Sequence, residues 1–259
     1  LYATEFFAQP LSGGGPGGPD DLDHSRVGIV YPILLETNGA PPDQNVIPLQ
    51  PVDISFKDGD NVATGCFANQ LYSAAVSGDR LYVTSVCASP KGPVEPGPAE
   101  RLANNFKTLL HSAVFVVDTT NNSEVPSERL VLTEALEASY GADAEPDPSA
   151  QRMPLIPTEI VVAEPDVSGR RQAYLSAMGS SAVFPISFAA NGTSSVGSAG
   201  QRFIDLKRGM PVGLAVLSQG RGLLVDDLKP GLRLLDLTAE RQVATVDTLS
   251  RDWAHDASI

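Results

Sequence analysis

The densest set of potential ligands in this chain is Asp20-Asp21-Leu22-Asp23-His24, three carboxylates and an imidazole within five residues. Carboxylate oxygens at such spacing could bind a hard cation such as calcium. The order of donors is not that of an EF-hand, and charge runs of this kind also occur as solvated acidic loops. A second histidine, His111, is followed by Ser just as His24 is. Aligning the third strands of the repeats described below by Val27, Val114, Val183 and Leu232 puts His24 and His111 at equivalent places, filled elsewhere by Ser180 and Lys229. Two equivalent histidines could ligate a transition metal or haem iron, or move protons. A histidine opening a strand also serves as a hydrogen-bonded structural residue. Asp20, Asp21, Asp23, His24 and His111 are therefore the candidate metal ligands.

Other chemistry is thin. His255 is the remaining histidine, and no serine sits in a Gly-x-Ser-x-Gly elbow. Ser12-Gly-Gly-Gly-Pro-Gly-Gly-Pro19 lacks the Lys-Ser/Thr and helix start of a phosphate cradle, and reads as a flexible low-complexity loop. Asp118 and Asp236 end equivalent strands and fit turn or cap positions; Asp226-Asp227 could bind a metal or serve as solvated turn acids. Asn121-Asn-Ser123 and Asn191-Gly-Thr193 match glycosylation acceptors. No catalytic residue is assigned.

The two cysteines, Cys66 and Cys87, flank a tight Ser77-Gly78-Asp79 turn. With that turn closing a regular hairpin, Cys87 falls opposite Gln70 and Cys66 a few residues beyond, at the same end. A disulfide there would close a loop of about 20 residues, contribute on the order of 3 kcal/mol, and mark an oxidising compartment. The other reading is a pair of buried, unpaired thiols in a cytosolic protein.

The elements that must position these residues follow a four-beat order. Pro211–Leu217, Gly222–Val225, Gly231–Asp236 and Arg241–Val246 are short apolar segments separated by turn residues. The same order recurs as Gln70–Ser77, Arg80–Val86, Ala113–Asp118 and Glu128–Leu132. A third copy reads Thr158–Ala163, Gln172–Ala177, Ala182–Ser187 and Gln201–Leu206. At the N-terminus Leu1–Phe6, Arg26–Val30 and Gln44–Leu49 match the second, third and fourth beats, without the first. Repeated four-stranded antiparallel units predict an all-β chain, a β-propeller of stacked blades. A β-sandwich shares the short strands but not the ordered repetition.

Leu81-Tyr-Val-Thr-Ser85, Pro211-Val-Gly-Leu-Ala-Val216 and Leu232-Arg-Leu-Leu-Asp-Leu-Thr238 followed by Gln242-Val-Ala-Thr-Val246 resemble the YVTN-type repeat of bacterial extracytoplasmic propellers. The resemblance covers most of the chain and is strongest in the second and fourth repeats. It implies a periplasmic, cell-surface or secreted protein, and so favours the disulfide. Relatives of this kind occur as surface-layer proteins, some joined to c-type cytochrome or cytochrome-peroxidase-like segments. No Cys-x-x-Cys-His is present, which excludes haem attached here by that motif. Haem or iron would enter through a missing segment or a partner such as a c-type cytochrome.

With 259 residues the chain is read as one propeller domain or propeller fragment, with repeats at approximately 1–50, 66–136, 156–206 and 210–248. Seven full blades would need more chain. The opening in mid-repeat suggests a fragment of a larger ring, a chain completed by another polypeptide, or about four blades closed by the termini. A net charge of −13 and a pI near 4.5, with no basic cluster, exclude nucleic acid and anionic membrane surfaces as partners. No apolar run reaches the roughly 18 residues of a membrane span. The sequence opens within a strand, so the lack of a signal peptide in it says nothing about export.

In such a repeat the connections between the first two strands emerge at one end, and they are short: Ser77–Asp79, Asp166–Arg170 and Ser218–Gly220. Long ones, Phe7–Ser25, Pro51–Asn69, Ala88–Ser112 and Glu137–Pro157, emerge at the other. Within them, Leu102, Phe106, Leu109 and Leu110 recur at helical spacing and predict a short helix over Glu100–Leu110. One-sided insertions are where repeat proteins bind. The sequence is thus read as an exported scaffold that binds another chain or companion domain through its long loops. The alternative is the scaffold of a haem- or metal-dependent oxidoreductase with His24 and His111 as ligands. A weaker third reading is a calcium-dependent lactone hydrolase with carboxylates converging on the axis.

Overall fold

Residues that alternate between apolar and polar make half-buried strands, and runs apolar throughout make strands buried on both faces. The second sheet contains both. Val52–Lys57 (β5) buries Ile54 and Phe56 and exposes Asp53, Ser55 and Lys57. Arg80–Ala88 (β7) and Leu110–Asp118 (β8) are buried at every interior position. The computed structural model describes residues 1–33, 46–58, 60, 62–92, 109–140, 152–197, 202–207, 209–217, 221–226 and 231–246.

These residues form four antiparallel sheets of four to six strands, with little helix. The first comprises Tyr2–Thr4 (β1), Gln9–Pro10 (β2), Arg26–Pro32 (β3) and Ile47–Leu49 (β4); β1 and β2 lie end to end along one edge of β3, and β4 pairs with β3. The second has β5, Ala63–Ser77 (β6), β7 and β8 in spatial sequence, then Ser123–Glu124 (β9) and Leu130–Val131 (β10), both paired with β8. Pro157–Val162 (β11), Arg171–Ala177 (β12) and Ala182–Phe188 (β13) form the third, with Ser194–Val196 (β14) and Ile204–Asp205 (β15) sharing β13. Pro211–Leu217 (β16), Arg221–Asp226 (β17), Gly231–Asp236 (β18) and Arg241–Val246 (β19) are the fourth, a plain meander. The four-beat segments thus fall on strands, and in three sheets one beat is split into two short pieces on the same neighbour.

Successive sheets pack through their apolar faces. One core cluster joins the first three, from Val30, Ile47 and Leu49 through Tyr82 and Phe115 to Phe184 and Ile186. A second joins the third and fourth, with Val183 and Ile204 against Leu214, Leu224 and Leu235. The Tyr82 and Phe188 rings lie 4.7 Å apart across the second and third sheets. Polar bonds fix the stacking: Ser77 Oγ donates to the Ala163 carbonyl at 2.8 Å, and Thr158 Oγ1 to the Pro211 carbonyl at 2.8 Å. Arg80 grips Glu128 through Nε and Nη2 and reaches Asp79 and Asp118, while Arg171 bonds Asp79 from the third sheet.

Three sequence expectations are corrected. Pro51–Asn69 is not a loop: β5 and the first half of β6 form a hairpin there, with Asp53 opposite Gly65. The fourth beat of the second repeat is only Leu130–Val131, and the chain then turns into a nine-residue helix, Leu132–Tyr140 (α1), which buries Leu132 and Leu136. Cys87 stands opposite Ala68, not Gln70. Two irregularities in β6, between Asn69 and Leu71 and between Leu71 and Ala74, each insert one residue. Gln70 takes the first with a φ of 48°, and β7 hydroxyls satisfy the freed backbone: Ser85 Oγ bonds both Asn69 N–H and C=O, and Thr84 Oγ1 those of Ser73. Residues 100–108 of the expected helix lie outside the described residues, and Leu110 begins β8.

Candidate functional site

The Cys66–Cys87 disulfide is closed, with the Cα atoms 5.4 Å apart, at the end of the second sheet from which the β7–β8 connection leaves. At this same end the glycine-rich segment Ser12–Pro19 is folded rather than loose. Gly14 N–H bonds the Leu11 carbonyl, Gly18 N–H the Gly15 carbonyl, and Asp21 N–H the Gly18 carbonyl. These turns wrap Asp21, whose Oδ2 accepts the Gly17 N–H at 3.0 Å. A Cβ on Gly15 would lie 2.8 Å from that carboxylate oxygen, so close approach, as well as turn geometry, demands glycine there.

The four ligand candidates of the Asp20–His24 run point in different directions. Asp20 is exposed, its backbone carbonyl taking the Leu22 N–H. Asp23 is buried at 3% exposure and accepts the backbone N–H of Lys91 at 2.8 Å and of Gly65 at 3.2 Å. It acts as an anchor, tying the 3-10 turn Leu22–His24 to β6 and to the end of β7. Asp21 turns to His24: Oδ1 lies 2.7 Å from Nδ1. The other ring nitrogen, Nε2, lies 3.0 Å from Asp53 Oδ1 on β5. The imidazole therefore spans two carboxylates, one in the β2–β3 connection and one on β5.

Backbone geometry makes room for this. A Cβ on Gly65 would stand 2.2 Å from His24 Nε2, so the ring lies directly on the β6 backbone. Burial works against a charged imidazole here, but the hydrogen bonds and charges of Asp21, then of Asp53, outweigh it and hold the His24 pKa above its ordinary value. Asp21 responds in reverse: partial burial raises it, while its bonds to His24 and Gly17 and the nearby imidazolium bring it below the usual carboxylate range. The ion triad faces a cleft of about 460 Å³ lined by Leu11, Pro16, Asp21, His24, Gln50, Pro51 and Asp53. Asp53 forms its exposed rim, with 94% of the side chain accessible.

His111 has a different environment. It is 1% exposed on β8, opposite Cys87, with its ring stacked on Phe56 at 5.2 Å and 10°. Nδ1 lies 2.8 Å from Thr133 Oγ1 on α1, and Nε2 has no partner among the described residues. Burial alone lowers its pKa to about 4, so the ring is neutral at physiological pH. His24 and His111 share no partner. Among the described residues no group of three or more His, Cys, Asp or Glu side chains is disposed to hold a metal ion. Both glycosylation motifs sit in exposed hairpins, where Asn121 Oδ1 accepts from Ser123 Oγ and Asn191 Oδ1 from Thr193 Oγ1. His255 and Asp227 lie outside the described residues.

Sequence reasoning singled out Asp21 and His24 but not Asp53, which lies 29 residues from His24 on a strand read as loop. The alternation Val52-Asp-Ile-Ser-Phe-Lys57 was the available signal. Chemically, the triad has no nucleophile in contact among the described residues, and both ring nitrogens are spent on carboxylates; it is a charged clamp beside an open cleft. No helix among the described residues is long and apolar enough to cross a membrane. No protein-family model matches the chain, and comparison with curated proteins gives no match.

Proposed function

We propose that the four sheets are blades of a β-propeller of the YVTN-repeat kind, exported to the periplasm or cell surface, and that the end carrying the long connections binds another protein chain. The observation that carries this reading is the asymmetry of the two ends. Hairpins at Ser77–Arg80, Asp118–Ser123 and Asp236–Arg241 are short, and polar side chains within them bond their own backbone. At the opposite end lie the β2–β3 and β7–β8 connections, the β5–β6 hairpin, α1 and the cleft. Built concavities on one end of a rigid β-scaffold are where such folds present binding residues. The stacking of β11 on β6 and of β16 on β11 supports the blade arrangement. The closed disulfide is compatible with an oxidising compartment, and export follows as the simplest way to maintain it.

His24 is clamped by carboxylates and His111 is sealed behind Phe56, so neither is given a haem-ligand role in this proposal. The test places a photo-crosslinking side chain at Gln50, on the cleft, or at Asp166, on the opposite hairpin end, in the native source. Specific crosslinks to one protein from position 50 and none from position 166 are expected. Equal crosslinking from both, or none from either, would overturn the proposal.

A further inference from the structure

We propose that the cleft between the glycine-rich turn and β5 accepts an organic cation on an apolar stem, the side chain of an arginine or lysine of the docking protein. The inference deepens the reading of this end as the protein-binding end and rests on it. Its basis is which hydrogen-bonding groups the cleft has left to offer. Each Asp21 oxygen already has a partner, Oδ1 the His24 ring at 2.7 Å and Oδ2 the Gly17 N–H at 3.0 Å. His24 is engaged at both nitrogens, so its imidazolium has no proton to present to an anion. Asp53 gives only Oδ1 to His24; its second oxygen has no protein partner among the described residues and stands at the rim.

Charge points the same way. Two carboxylates and one imidazolium leave the triad net negative, on a chain whose formal charge is −13. The cation that reaches this region, Arg129, bonds the Pro51 carbonyl at 3.2 Å but is ion-paired with Glu124 at 2.6 Å. Lys91 contributes its backbone N–H to buried Asp23. Leu11, Pro16 and Pro51 supply apolar walls suited to a methylene stem, and about 460 Å³ admits one long side chain. A carboxylate-bearing ligand would meet Asp53 at the entrance. An uncharged one would leave the free Asp53 oxygen without a counter-charge.

The experiment is an NMR titration of the full chain with four blocked amino-acid amides, those of arginine, lysine, citrulline and glutamate. Citrulline has nearly the shape of arginine without the charge. Shifts at Gln50, Asp53 and the His24 ring are expected with arginine and lysine only, and the stronger of the two identifies the side chain. A cation beside Asp53 also draws the His24 titration to lower pH, which simple surface adhesion elsewhere would not do. Asp53→Asn should weaken association by up to about fivefold, the upper range for an exposed ion pair. Equal response to citrulline, binding of the glutamate probe, or an unchanged His24 titration would each overturn the assignment. Crosslinks from Gln50 with no response to cations would sink the cation assignment and leave the docking end standing; cation binding without crosslinks would sink the docking end and, with it, the assignment of the cation to a docking protein.

Discussion

Replacing Gly65 by alanine tests the clamp where it is most constrained. The added methyl would lie 2.2 Å from His24 Nε2 and 2.5 Å from Cε1, with β6 fixed behind it by its pairing to β5, so the ring must leave. Both of its carboxylate bonds go with it. The Asp21–His24 pair has side chains about one-fifth exposed, 20% and 21%, and after solvent screening contributes about 1 kcal/mol; the Asp53 partner, being 94% exposed, adds a few tenths at most. Steric displacement adds roughly 1 kcal/mol. Because folding raises the His24 pKa, the ionic part is fully present below the unfolded value of about 6.5 and is lost as pH rises through the folded value. The wild-type–variant difference in unfolding free energy should therefore be about 2 kcal/mol by urea titration at pH 5.5 and about 1 kcal/mol at pH 9.5. An equal difference at both pH values would refute the ionic clamp and leave only crowding.

Two further outcomes follow from the same sheet. Reducing the Cys66–Cys87 disulfide, or replacing both residues by serine, should lower stability by about 3 kcal/mol, given its sequence separation of 21; a denaturant midpoint unchanged by reductant would contradict this. His111, neutral in the fold with a pKa of about 4 against roughly 6.5 unfolded, should cost about 3 kcal/mol of stability on going from pH 7 to pH 4, because the unfolded chain takes up the proton first. His111→Gln should abolish most of that acid dependence, measured by thermal melts across the range.

The strands were legible because each beat is an apolar run closed by turn residues, and the local signal coincides with the tertiary one. Where these diverged, reading failed. Leu130-Val-Leu132 looks like a strand end, yet only Leu130 and Val131 pair, with Val114 and Ala113 respectively; Leu132 and Leu136, spaced by one helical turn, were the sign of α1. In the glycine-rich segment composition suggested looseness, but at Gly15 and Gly17 Asp21 fills the space a side chain would need, and Gly13, Gly14 and Gly18 take positive φ. Asp21 and His24 stood out as chemistry-bearing residues, whereas their union with Asp53 depends on a strand pairing between distant segments, which one sequence does not display. The sequence alignment also set His24 beside His111, although the first lies in a 3-10 turn and the second inside β8. What it could not convey is that one ring lies in a cleft among acids and the other beneath Phe56.

The two inserted residues of β6 give the disulfide a role beyond chain entropy. On a regular ladder Cys87 would face Gln70, four positions from Cys66 and so about 13 Å away along the strand, too far to be bridged. A slip of one residue would turn every side chain to the wrong face and is forbidden by the core, but a slip of two preserves the faces and meets no such penalty. That permitted slip is the one that would iron out both bulges. The covalent bond at Cys66–Cys87 blocks it, acting as a register pin that keeps Ala68, and not Gln70, opposite Cys87.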